Sequence, residues 1–274
     1  MLSVLQIKAR LIYGKVCQQI KDLGWDSPIT QPDLVKMMQH LLYEELVPYD
    51  RAWIKEGYQL DMVVGPYDGS IEGYGGLQYC RSFNEETNQY DCNLASARSK
   101  CSDLDVGDNE LSASLLNSRQ AEVVVRSIPE KPKTLRVVLI TDSQCTAHCH
   151  SDRFCHTIRR RRNVAVRFSR SLRRLHCEND NVEILLMWMA GKDNPSDLAS
   201  KSHENVSQAQ NSSFWRKGSE LYLKPDFPAI PEGIIYAQLK NEKFSHYGLS
   251  STPQHLTMCN YCSSNVETGR MIAN

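Results

Sequence analysis

Four acidic residues stand where an element of the chain begins or ends: Asp68 in VVGPYDGS, Glu110 in DNELSASLL, Asp142 in LITDSQ and Asp197 in KDNPSDLAS. Carboxylates gathered in one place repel one another and lose hydration, so such a group is stable only around divalent cations. Oxygen-only donors suit Mg²⁺ or Mn²⁺. Two such ions ~3.5–4 Å apart would activate a water and stabilise the leaving oxygen of a phosphodiester displacement. Acids are also common at helix N-termini for dipole reasons alone, so their positions by themselves permit a purely structural reading. Asp193 and Asp197, on either side of an Asn-Pro pair, pose that choice most sharply.

The elements that must deliver these residues are legible from periodicity. YQLDMVV, GYGGLQYC and CNLASARSK are strand-like pieces separated by turn residues, which predicts an antiparallel meander ending its first strand near Asp68. Pro66 lies inside that first strand, where it must face an edge or a bulge because it has no N–H to donate. GDNELSASLLNSRQAEVVVRSI has a helical period with Asp108 or Asn109 as N-cap and Glu110 in its first turn. LRVVLITDSQ predicts a buried strand with Asp142 at its polar tip, and VEILLMWMAG a last strand before a helix opened by NPSDLAS, where Asn194 or Ser196 is the candidate cap. A strand, helix, strand order permits a parallel crossover, and open α/β sheets collect functional residues beyond strand ends.

Together, DGSIEGYGG, DNELSASLL, ITDSQ and KDNPSDLAS resemble the four signature blocks of a ribonuclease H domain. More narrowly, they are similar to the version in the Pol polyprotein of BEL/Pao-type retrotransposons, where DAS, YGA, an R-L-E-L helix start, W-T-D-S-Q and K-D-N-P-A-D-L-A-S follow one another. The upstream LGWDSPI also resembles a stretch between polymerase and ribonuclease H in those elements. The resemblance spans about residues 1 to 225. It implies an α/β, ribonuclease H-like mixed five-stranded sheet flanked by helices. The expected division is a helical connection segment over 1–55, the ribonuclease H-like domain over 56–203 and an irregular tail over 204–274.

By the same resemblance, Asp68, Glu110, Asp142 and Asp197 match the catalytic, metal-binding carboxylates, with two Mg²⁺ (or Mn²⁺) ions as cofactor. Asp193 is then a surface or supporting residue. The implied activity is hydrolysis of the RNA strand of an RNA/DNA hybrid, with the polymerase and integrase parts of the polyprotein as partners. Gly69 stands where the family has the alanine of DAS, and GDNEL replaces its usual residues around the glutamate. A degenerate or domesticated remnant that binds nucleic acid without cleaving it is the alternative.

The charge total is neutral, with 32 Lys+Arg against 32 Asp+Glu, yet nine arginines and no acid lie between Arg153 and Arg174. Apolar residues recur through this stretch at helical spacing, so the arginines fill the other faces of one helix. That helix is either a solvated face, with RRRR also reading as an import-like run, or a phosphate-binding element. In the second case Arg159, Arg160, Arg162, Arg170 and Arg173 are the candidate nucleic-acid contacts. In the tail, His255, Cys259 and Cys262 make most of a possible zinc site, with His246 a conceivable fourth ligand. CTAHCHSDRFCH lacks zinc-ligand spacing. Ten scattered cysteines without a secretory signal suggest reduced thiols in a cytoplasmic or nuclear protein that is not secreted, and no apolar run approaches the ~20 residues of a membrane span.

Overall fold

A computed structural model of the chain describes residues 52–151, 159–179, 181–201, 206–240 and 243–246, with isolated positions (16, 18, 19, 21, 22, 28, 32, 35 and 39) before them. The expected helices of the 1–55 segment and the His255, Cys259 and Cys262 group therefore lie outside the described residues. Within them, long β-branched and leucine-rich runs form one mixed sheet in the order β3-β2-β1-β4-β5-β6-β7. The strands are β1 (Gln59–Gly69), β2 (Gly73–Asn84), β3 (Gln89–Cys101), β4 (Leu135–Thr141), β5 (Val182–Met189), β6 (Gly233–Lys240) and β7 (Lys243–His246). β1, β2 and β3 form the antiparallel meander, while β1–β4 and β4–β5 pair in parallel.

The helices, in chain order, are α1 (Val106–Ser127), α2 (Gln144–Ser151), α3 (Arg159–Cys177), α4 (Asp197–Ser200), α5 (Val206–Asn211) and α6 (Ser213–Lys217). The period-2 alternation of the strands gives the sheet two apolar faces. Val63, Val137, Leu139, Ile184 and Leu186 pack with Ala121, Val124 and Val125 of α1 and Phe168, Leu172 and Leu175 of α3. On the opposite face Met62, Val64, Val138, Ile140, Leu185 and Met187 pack with Ala199, Trp215, Tyr222, Phe227 and Ile230.

The α/β class and the mixed sheet agree with expectation; the count of five strands does not. Antiparallel β6 and β7 continue the sheet beyond β5. They belong to the stretch expected to be an irregular tail, whose described part also supplies Trp215 and Tyr222 to the core. The open outer edge of β5 is what makes GIIYAQLK a strand, and that edge is invisible to local pattern. The helix cap also differs: the Asp105 side chain accepts from the Asp108 N–H at 2.8 Å, so α1 begins one turn earlier than predicted.

Pro66 sits in the middle of the sheet rather than at an edge. Pairing of β1 with β2 jumps from Val64↔Tyr79 to Tyr67↔Gly76, leaving the proline out of that ladder. Side chains fill the gap: Asn117 Nδ2 donates to the Gly65 carbonyl at 2.6 Å, and Gln78 Nε2 donates to the Asn117 carbonyl at 3.2 Å. Cys145 is disulfide-bonded, against the expectation of reduced thiols throughout, whereas Cys80, Cys92, Cys101 and Cys177 are in no disulfide. Among the described residues no helix is long and apolar enough to cross a membrane.

Candidate metal centre

β1 carries Asp68 as its penultimate residue, opposite Gly75 of β2. β4 runs parallel to β1 and releases Asp142 immediately after its last residue, Thr141. Glu110 lies on α1, whose backbone crosses the end of β1 closely: a Cβ on Gly69 would lie 2.3 Å from the Glu110 nitrogen. Only a residue without a side chain permits that approach. Asp68, Glu110 and Asp142 thereby each offer a carboxylate oxygen, all within 4.8 Å of one another.

Polar side chains from the KDNPSDLAS block hold two of the three. Asn194 Nδ2 donates to Asp142 Oδ1 at 3.0 Å and to the Tyr67 carbonyl at 3.2 Å, while its own Oδ1 accepts from the Ser196 N–H at 3.2 Å. Asn194 thus closes the turn before α4; Ser196, at the cap position, makes no side-chain cap bond. The Ser200 hydroxyl donates to Asp68 Oδ2, and the Ser200 carbonyl accepts from the Ser70 hydroxyl at 2.6 Å. Trp188 Nε1 donates to the Asp142 carbonyl at 2.9 Å. Asn194 and Ser200 are fully buried; the sequence offered Asn194 only as a helix cap and Ser200 in no role. Polar residues beside a proline look like a loop, and only the fold reveals what they support.

Burial is the largest influence on all three carboxyls. It pushes Asp68 up to about 7, with the Asp142 charge adding and the Ser200 hydrogen bond opposing. Glu110 is driven well above the usual range by burial, then by Asp68 and Asp142. Burial also raises Asp142, against the Asn194 hydrogen bond. Glu110 Oε2 is buried without a hydrogen-bond partner. A buried oxygen with no donor, beside two more carboxylates, is the environment a hard divalent cation satisfies. Asp68, Glu110 and Asp142 therefore fit Mg²⁺ or Mn²⁺.

Asp197 is not in that triad. Its carboxylate accepts from Lys201 Nζ and its side chain is 46% exposed, although its charge still raises both Asp68 and Asp142. Asp193 is half-buried in the single turn Gly191–Asp193. Arg159, Arg160, Arg162, Arg170 and Arg173 are all exposed on α3. Two arginines the sequence did not single out tie α3 to the site-bearing helix: Arg161 donates to Asp108 Oδ1 at 2.7 Å and to Asp105 Oδ1 at 2.9 Å, and Arg174 Nε donates to Glu122 Oε2 at 3.0 Å.

No protein-family model matches the chain, and no curated protein matches it. Among solved structures, the N-terminal RNase H domain of rv2228c from Mycobacterium tuberculosis, fused to maltose-binding protein, is similar at 12% identity and TM-score 0.35, over 57% of this chain and 99% of that one. LC9-RNase H1, a type 1 RNase H with the type 2 active-site motif, is similar at 15% identity and TM-score 0.35, over 60% of this chain and 80% of that one. RNase H1 from Halobacterium salinarum is similar at 10% identity and TM-score 0.32, over 49% and 89%. At such identities and scores none of these likenesses bears on activity or on which residues act.

Proposed function

We propose that the chain is a metal-dependent nuclease with a ribonuclease H-like fold, hydrolysing the RNA strand of RNA/DNA hybrids. The observation that carries this reading is the convergence of Asp68, Glu110 and Asp142 within 4.8 Å at one end of the central strands. A divalent cation bound there, Mg²⁺ or Mn²⁺, supplies Lewis-acid activation of water and of the phosphodiester oxygen. The chain's own groups prepare the place. Ser200 and Asn194 orient Asp68 and Asp142, and the approach of α1 to Gly69 brings Glu110 beside them.

Asp197 is the fourth carboxylate in this reading, reaching the centre once released from Lys201. Arg159, Arg160, Arg162, Arg170 and Arg173 supply phosphate contacts from α3, which packs along α1. The choice of hybrid as substrate, the second ion and the setting in a BEL/Pao-type Pol polyprotein follow from the resemblance of the four sequence blocks. A second reading, a remnant that binds without cleaving, is favoured by the Asp197–Lys201 pair, which withholds one carboxylate from the triad.

The test is cleavage of a labelled RNA/DNA hybrid with Mg²⁺ or Mn²⁺. The chain is expected to cut the RNA strand, and Asp142→Asn to lower the rate at least about a hundredfold, the loss typical of removing one transition-state electrostatic contact. An intact hybrid under both metals would establish the remnant reading instead.

A further inference from the structure

We infer that the groove between α1, α3 and the β2–β3 pair is a binding site for a phosphodiester backbone, gripping nucleic acid to one side of the carboxylate centre. The groove has a volume of about 680 Å³, and the charged side chains that line it are Lys100, Arg119, Arg159, Arg160 and Arg167, with no acid among them. Tyr74, half-buried, lines it as well, with Lys100 Nζ 6.0 Å from its ring centre. Five cations from three elements, β3, α1 and α3, converge on this one cavity.

The ion pairs of α3 leave that convergence largely unneutralised. They fall, among the described residues, on Arg160, Arg161 and Arg174, and the Arg160 pair with Asp108 is a loose 3.8 Å. Among the described residues Arg159, Arg167 and Arg119 have no acidic partner. Cations held together without acids raise the local potential and draw in polyanions. Leu115 and Val164 line the same cavity, giving sugar rings an apolar surface between the charges.

Position decides which polyanion. Tyr74 is paired across β1–β2 with Gly69, the residue after Asp68, and Ser112 of the lining lies two residues beyond Glu110 on α1. Lining residues thus neighbour, on the ladder and along α1, the residues that carry two of the carboxylates, on the route an extended strand passing through the centre would take. Each strand of a duplex presents one phosphate per ~3.4 Å of helix axis, so a strand lying along the groove offers its cations more than one phosphate. Lys100, Arg119 and Arg167 are additional to the arginines singled out from sequence, while Arg162, Arg170 and Arg173 do not line it. The choice of polymer rests on the nuclease reading; the binding of a polyanion does not.

Binding of the full chain to a labelled hybrid, and to each of its single strands, is measured in chelator as a function of salt. The variant Lys100→Ala/Arg119→Ala/Arg167→Ala is expected to weaken hybrid binding at least about tenfold and to make the log–log salt dependence shallower by about two to three, near 0.9 per lost phosphate contact. Arg167→Ala alone should change it by about one. A control of equal charge outside the groove, Lys133→Ala/Arg136→Ala/Lys224→Ala, should keep the wild-type slope. Preference for one single strand identifies whether RNA or DNA occupies the groove. An unchanged slope in the groove variant, an equal change in the control, or a wild-type chain that binds no nucleic acid overturns the inference. A wild-type chain that binds steeply but leaves hybrid uncut overturns the nuclease reading alone; one that cuts while the groove variant keeps its slope overturns the groove alone.

Discussion

At the scale of residues, three carboxyls are held where burial opposes their charge. Asp68 takes up a proton near 7 in the folded chain against an ordinary value of 3.8. Between those limits the folded state binds more protons than the unfolded one, so stability of the metal-free protein falls as pH rises from about 4 toward 7. Melting in chelator across that range should show a declining Tm, each kcal/mol lost lowering it by ~2–4 °C for a domain of this size. Added Mg²⁺ should restore the Tm at pH 7.5, because a ligand of the folded state alone stabilises it. A flat Tm profile that Mg²⁺ does not move would show that the carboxyls are not a metal centre. Asn194→Ala removes the donor to Asp142 and the acceptor for the Ser196 N–H; a loss of about 1–3 kcal/mol is expected. The cleavage rate should fall with little change in KM, whereas unchanged kcat in a folded variant would deny Asn194 a positioning role. The acids were legible in the sequence because their blocks carry chemistry in a recognisable order. Asn194 and Ser200 were not, since nothing local says that a polar residue in a turn will be buried against a carboxylate.

At the scale of elements, the site depends on how closely helices approach strands. Gly69→Ala would place a methyl 2.3 Å from the Glu110 nitrogen and 2.5 Å from the Asn109 carbonyl carbon. Overpacking of this kind costs roughly 1–3 kcal/mol. The variant should melt lower and cleave more slowly, because α1 must shift and carry Glu110 with it; thermal melts beside hybrid cleavage assays would show both. An unperturbed Gly69→Ala protein would mean that α1 can yield without moving the centre. The meander, α1, β4 and β5 were all readable from periodicity, since each buries a face that its own residues define. The start of α1 was misplaced because Val106 and Gly107 look unhelical, although Asp105 provides the cap. Pro66 was readable as an anomaly but not as a solution: the Asn117 and Gln78 side chains that bridge its gap come from α1 and β2.

At the scale of the whole molecule, residues beyond 203 complete the second face of the sheet. Trp215, Tyr222, Phe227 and Ile230 are buried against it, each contributing about 1.5–3 kcal/mol. The buried guanidinium of Arg81 on β2 donates to the Lys224 carbonyl at 2.7 Å and to the Tyr222 carbonyl, stacks 3.7 Å from the Tyr90 ring centre and pairs with Asp61. Ending the chain at 203 removes a stabilisation comparable to the ~5–15 kcal/mol reserve of a typical domain. It also strips Arg81 of two acceptors. Such a truncation should be insoluble or lack a cooperative melt by calorimetry; a well-folded 1–203 fragment would show that the remainder is dispensable.

The placement of β6 beside β5 also has a consequence for synthesis. The strands β1 to β5 emerge well before Gly233–Lys240 and the segment that shields Met62, Val64 and Leu185. At translation rates of ~5–20 residues per second, the stretch from the end of β5 to Ile230 takes on the order of two to eight seconds. For that time the nascent chain carries an uncovered apolar sheet face, so the ribosome and its chaperones, rather than the finished sequence alone, govern how much of this protein reaches its fold.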